Sequence, residues 1–181
     1  MSYTIADLSE YIPAASMAKL NQADCKFYVD TLNKNGLKSF LDLITRTYSA
    51  FARKWFDLVG WPGEYNSHWG MMHKGGIFLR NDSLMNLSSD MYVEFVRPLD
   101  QRLLDEFGGG CVHFCGRGSH YIEGMSQMRG LFGIQLSQPE YNDMDTIFRH
   151  TADKGIKLLD CRKSGLPLLK NHAVGQVQVY S

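Results

Sequence analysis

Four short apolar runs, each bounded by glycine or a turn, constrain this chain more than any other feature. They are "GGIFLR" (75–80), "CVHFC" (111–115), "LFGIQLS" (131–137) and "GIKLLDC" (155–161). Runs of this length and apolarity read as buried strands. Helical stretches separate them: one from Ser88 or Ser89 onward, then "HYIEGMSQM" and "NDMDTIFRHTADK". Strands that alternate with helices at this spacing require crossover connections, and so a parallel sheet in an α/β fold.

Upstream, apolar residues recur at three and four from about Ala23 to Val59, as in Leu37, Phe40, Leu41, Ile44, Tyr48, Phe51, Trp55 and Leu58. This predicts one long helix or two in series, with Gly36 as the break. Residues 1–22 form a lead segment. In the helix after the first strand, Ser88 or Ser89 caps the start, Asp90 and Glu94 suit the early turns, and Pro98 predicts a kink or break. "YNSHWGMMHKGG" reads as a loop carrying His68, Trp69, Met71, Met72 and His73, and the chain ends in a polar tail, "GQVQVYS".

At 181 residues the chain suits a single domain, and its 19 basic and 19 acidic residues cancel. A neutral chain with its basic residues dispersed gives no electrostatic capture of nucleic acid or of an acidic membrane surface. No apolar run approaches a membrane span, and "MSYTIADLSEYIP" lacks a basic flank followed by an apolar core, so a cytoplasmic protein is expected. There, Cys25, Cys111, Cys115 and Cys161 are expected as reduced thiols.

In parallel α/β folds ligands gather at the carboxyl ends of the strands, where loops and helix N-termini converge. Side chains two apart on a strand share a face, so Cys111, His113 and Cys115 point one way and Val112 and Phe114 the other. A thiolate and an imidazole are good zinc ligands, and His113 with Cys115 supplies two; both are equally residue types that bury well in a core. Asp82 ends the first strand as a general base or substrate-orienting carboxylate, or as the cap of the next helix, and Asn81 shares that ambiguity. Ser137, Gln138 and Asn142, in "SQPEYND", offer hydrogen bonds to a small-molecule substrate or ordinary turn chemistry around Pro139. Arg117 and His120, in "GRGSHY", meet an anionic substrate group or lie on a solvated loop.

The text "NDSLMNLSSDMYVEFVRPLDQRLLDEFGGGCVHFCG", continuing to "GLFGIQLSQPEYNDMDTIF", resembles the second half of the uroporphyrinogen decarboxylase superfamily. Strand-borne Asp82, the "LSSDMYVEFVRPL" helix and the "HFCG" strand carry the resemblance, over about residues 24–161. It implies a (β/α)8 TIM-barrel type fold, of which four readable βα units preceded by a long helix make about the C-terminal half. A half barrel leaves open sheet edges and an uncovered face, so pairing is expected with a second copy, as a homodimer, or with a complementary half-barrel chain.

The superfamily holds both cofactor-free porphyrinogen decarboxylases and zinc-dependent methyltransferases that move a methyl group between a corrinoid protein and a thiol. For the methyltransferase branch the resemblance implies that a later cysteine completes the His-x-Cys pair, and Cys161 is the candidate here. A decarboxylase is the alternative, with Arg117 or Arg162 on the substrate acids, although the decarboxylases' arginine-rich segment and catalytic aspartate belong to the first half of the barrel. A third reading is a non-catalytic half barrel whose activity is association.

Overall fold

The computed structural model describes residues 34–163, 167, 172 and 177–179. The lead segment 1–22, Cys25 and the first part of the expected helix lie outside the described residues. Helix α1 (Lys34–Val59) runs through Gly36, so no break falls there. Thr45, Tyr48, Ser49 and Ala52 are its buried positions, spaced at three and four as a single helical face demands.

The stretch expected to be a loop is a hairpin. β1 (Tyr65–His68) pairs antiparallel with β2 (Met71–Lys74), with His68 opposite Met71. Trp69 (φ 49°) and Gly70 (φ 75°) form the two-residue turn. Positive φ at both centres matches the twist of the flanking strands, which is why so short a turn closes here.

The four predicted strands are present as β3 (Ile77–Arg80), β4 (Gly110–Phe114), β5 (Leu131–Leu136) and β6 (Lys157–Cys161). Part of the expected polar tail is a fifth strand, β7 (Val177–Val179). The five form one parallel sheet in the order β3-β4-β5-β6-β7, with β3 and β7 as its edges among the described residues. Glycine at 110 is a packing requirement: a Cβ there would lie 2.0 Å from the Ile77 carbonyl oxygen, so only a bare backbone lets β4 start against β3.

After β3 come a 3-10 turn (Asp82–Asn86) and α2 (Ser89–Met91), capped by Ser88, whose hydroxyl accepts from the Met91 N–H at 3.2 Å. A π-helical stretch (Tyr92–Val96) then leads into α3 (Arg97–Glu106), with Pro98 in the first turn of α3. The irregularity expected at Pro98 is therefore this π stretch: its wider hydrogen-bond spacing accommodates the missing N–H, which costs nothing in a first turn. Helices α4 (Ile122–Ser126) and α5 (Met144–His150) link the later strands.

The helices pack on one side of the sheet. Ile77, Leu79, Val112, Phe114, Ile134, Leu136 and Leu158 form a single core with Tyr48, Tyr92, Leu103, Leu104, Ile122, Met125, Ile147 and Phe148. On the other side the apolar cluster is small, with Phe78, Cys111 and Leu159 buried under Met71 and Phe132. The hairpin lies across this second side: Cys111 Sγ is 3.9 Å from the Lys74 carbonyl, and Lys74 Nζ sits 5.0 Å from the Phe132 ring centroid.

Candidate metal centre

Parallel register sets neighbouring residues of adjacent strands on the same face. Phe78 pairs with Cys111 and Arg80 with His113; on the next strand Cys111 pairs with Gly133 and His113 with Gln135. Extended two residues further, at the carboxyl edge, this face brings up Asp82, Cys115 and Ser137. Local chain chemistry thus explains why a carboxylate, an imidazole and two hydroxyl or thiol groups converge beneath the hairpin.

The ligand atoms of Asp82, His113 and Cys115 all lie within 4.8 Å of one another. His113 Nε2 is 2.8 Å from Asp82 Oδ1 and 3.2 Å from Cys115 Sγ. Cys115 Sγ lies 3.6 Å from Ser137 Oγ. His113 is buried, while Asp82 and Cys115 are half-buried, so the cluster faces inward on the imidazole side and outward on the other.

An outer chain of hydrogen bonds fixes the imidazole. Its Nδ1 is 3.0 Å from Gln135 Oε1, and the Gln135 amide nitrogen donates to Asp160 Oδ2 at 2.6 Å. Because the amide nitrogen is committed as a donor to Asp160, Oε1 must accept, so Nδ1 carries a proton and Nε2 faces Asp82 and Cys115. Ligating histidines are held in this way, through the far ring nitrogen. Burial works against a charged ring at His113, yet Asp82 and Cys115 hold its pKa up at about 9. Burial likewise tends to raise the Asp82 carboxyl, but His113, Cys115 and Arg80 together hold it below its ordinary value. At neutral pH the metal-free cluster therefore shares a proton on Nε2, and a bound cation would displace it.

Zinc with these donors sets ligand atoms about 3.3–3.8 Å apart in a tetrahedron, from bond lengths of about 2.0–2.3 Å. The observed 2.8 and 3.2 Å are a few tenths of an ångström or more tighter, as suits groups drawn together by a shared proton. One carboxylate, one imidazole and one thiol make a three-ligand set of the catalytic kind, with a fourth position open.

Cys161 does not join them. The sheet register shifts between Leu158 and Cys161, and Asp160 adopts φ 55°. This irregularity reverses the alternation: Asp160 reaches Gln135 and Cys161 enters the core on the helix side, with its thiol 3.6 Å from the Arg162 carbonyl. Asp82, not Cys161, stands as the third ligand candidate. Cys111 shares the His113 face but lies deeper, and burial pushes its thiol up to about 12, which leaves it inert.

The remaining predicted residues divide by what they touch. The Asn81 side chain turns to the helix side, donating to Asp100 Oδ2 at 2.8 Å. Asn142 Oδ1 accepts from the backbone N–H groups of Gly118 (2.7 Å) and Ser119 (3.2 Å), and its Nδ2 donates to the carbonyls of Gly116 (2.9 Å) and Gln138 (2.8 Å). Gln138 Oε1 accepts from Gly116 N–H at 2.7 Å. Asn142 and Gln138 thus lock the loop after β4 to the loop after β5, and their amides are engaged in that work. His120 donates from Nε2 to the Leu87 carbonyl at 2.8 Å, and Arg117 is exposed on the same loop.

Trp69, Arg80, Gln135 and Asp160 were not singled out by sequence. Trp69 meets the His113 ring edge-on at 5.3 Å, and the Arg80 guanidinium lies 4.3 Å from the centroid of the Trp69 ring while reaching Asp82 at 3.2 Å. Gln135 was legible in principle, as the one polar residue in "LFGIQLS" and in phase with Ser137. The hairpin tip had no such signal, because its placement is a tertiary matter.

Fold and site together define an α/β protein with a parallel five-stranded sheet and a candidate metal centre at the carboxyl edge. No protein-family model matches the chain, and neither does any curated protein or solved structure. Among the described residues no helix is long and apolar enough to cross a membrane.

Proposed function

We propose that this chain is a zinc-dependent methyltransferase-like enzyme of the uroporphyrinogen decarboxylase superfamily, contributing about half of a (β/α)8 barrel. The observation that carries the reading is the meeting of Asp82, His113 and Cys115 at the carboxyl edge, with His113 oriented by Gln135 and Asp160. Strands in sequential order with helices on one face suit a barrel wall better than a doubly wound sheet, which has helices on both.

Zinc, when bound, supplies a Lewis acid that holds a substrate thiol as its thiolate at neutral pH. Asp82, His113 and Cys115 hold the ion; Gln135 keeps the imidazole lone pair on it; Trp69 limits water over the buried side. In the transfer, the thiolate sulfur forms a bond to a methyl carbon as the cobalt–carbon bond of a methyl-corrinoid breaks. The bonding pair stays on cobalt, and the thiol proton leaves to solvent. A corrinoid protein and a second half-barrel chain, a copy or a complement, are the partners of this reading.

Elemental analysis of protein purified without chelator tests the metal first. About one zinc per chain is expected, and its loss in both His113→Ala and Cys115→Ser. Zinc far below one per chain in correctly assembled protein, or retained in both variants, overturns the metal centre. Loss of the methyl-cobalt absorbance on mixing zinc-loaded protein, methylcobalamin and a small alkanethiol tests the transfer separately.

A further inference from the structure

Between the C-terminal half of α1 and the base of the hairpin lies a cavity of about 420 Å³ that none of Asp82, His113 and Cys115 lines. Its walls are aromatic, with Tyr48, Phe51, Trp55, Phe56, Trp61 and Phe78 around it. Phe56 and Trp61 meet edge to face with centroids 4.8 Å apart, and Trp61 stacks near-parallel to Phe107 at 6.4 Å, so one wall is braced from behind. That volume suits a molecule of one or two rings.

His73, on β2, forms part of the wall and is 3% exposed. Its Nδ1 lies 3.2 Å from the Lys74 carbonyl oxygen, which only accepts, so the ring proton is on Nδ1 and Nε2 carries a lone pair. Burial holds the His73 pKa below its ordinary value, which keeps the ring neutral. Nε2 is buried and has no hydrogen-bond partner. Buried acceptors are normally satisfied, and an orphan facing an aromatic cavity needs a donor from elsewhere. The neighbouring Asn66 cannot supply one: its Nδ2 donates to the Gly76 carbonyl at 2.9 Å and its Oδ1 accepts from Ser67 N–H at 2.8 Å.

We propose that this cavity binds a flat aromatic molecule of one or two rings that donates an N–H or O–H to His73 Nε2. Aromatic faces reward a π-system, and the single free acceptor selects for one donor at its edge. The site is independent of the metal centre, from which Phe78 and the hairpin separate it.

Indole and benzofuran make the probe pair, since they share shape and differ in N–H against ether oxygen. Calorimetric titration of the full chain should show saturable indole binding at least about tenfold tighter than benzofuran. His73→Phe, which keeps a ring in the buried position, should bring the two affinities together. Ser67→Trp, an exposed substitution at the cavity wall, should abolish both. In the wild type, the His73 Nε2 nitrogen resonance should move with indole and stay with benzofuran, a readout that stands even if His73→Phe does not fold. Equal affinities, no saturation up to solubility, or unchanged indole binding in Ser67→Trp would each overturn the proposal.

Discussion

The two faces of the one parallel sheet do different work. Toward the helices, Val112, Phe114, Ile134 and Leu136 are buried in a continuous apolar core. Toward the hairpin, the same strands present Arg80, His113 and Gln135, with Asp160 closing the chain of hydrogen bonds. A single register therefore serves stability on one side and chemistry on the other. What separates them is the two-residue period of a strand, under which each polar residue of the site is flanked by residues that hold the fold.

If that division is real, substitutions on the two faces should fail in different assays. The largest stability loss is expected for Phe114→Ala, fully buried among helix residues: about 3–5 kcal/mol by denaturant unfolding, a fold effect that precedes any effect on metal. A Phe114 variant that unfolds like the wild type would break the comparison.

On the hairpin side, Gln135→Leu removes the acceptor for His113 Nδ1 and should weaken zinc affinity by about 10–100-fold, read by competition with a chelating dye. Unfolding midpoints of the metal-free protein should move much less than for Phe114→Ala. Equal metal affinity with and without Gln135 would show that His113 needs no orienting partner.

Asp100 tests the boundary between the faces. Burial raises its pKa to about 7, opposed by the hydrogen bond from Asn81. A carboxyl raised in the fold binds its proton more tightly folded than unfolded, so stability declines as pH rises from about 4 to 7 and stays reduced above it. Asp100→Asn keeps an acceptor for Asn81 and should flatten that decline, gaining about 1–3 kcal/mol at pH 8 and nothing at pH 4. A gain of the same size at both pH values would show that the carboxyl is not the cause.

The smallest effect belongs to the surface. Arg129 and Asp105 lie 2.8 Å apart but largely exposed, so Arg129→Ala should change stability by less than about 1 kcal/mol and leave zinc binding alone.

Legibility in the sequence follows the same division. Each of β3 to β6 was visible because a short apolar run between glycines has few other ways to fold, and His113 with Cys115 followed from the two-residue period. Ser88 was readable as a cap and Pro98 as an irregularity. The hairpin was not, since "YNSH" and "MMHK" lack an apolar alternation and only the backbone angles at Trp69 and Gly70 declare the turn. β7 escaped because its short, half-polar run gains its stability from β6 rather than from its own composition.

Cys161 shows where local reading stops. Its position, two residues beyond Leu159, puts it in phase with the His113 face under unbroken alternation, and the irregularity at Asp160 turns it to the other side. The amino-acid sequence by itself determined the alternation of strands and helices, the parallel sheet and the pairing of His113 with Cys115, because periodicity and turn chemistry are local properties. Only the tertiary structure decided that Asp82 replaces Cys161, that Gln135 and Asp160 orient the imidazole, and that the hairpin roofs the site. Those depend on register between strands and on one residue's backbone angle, which packing settles and composition does not record.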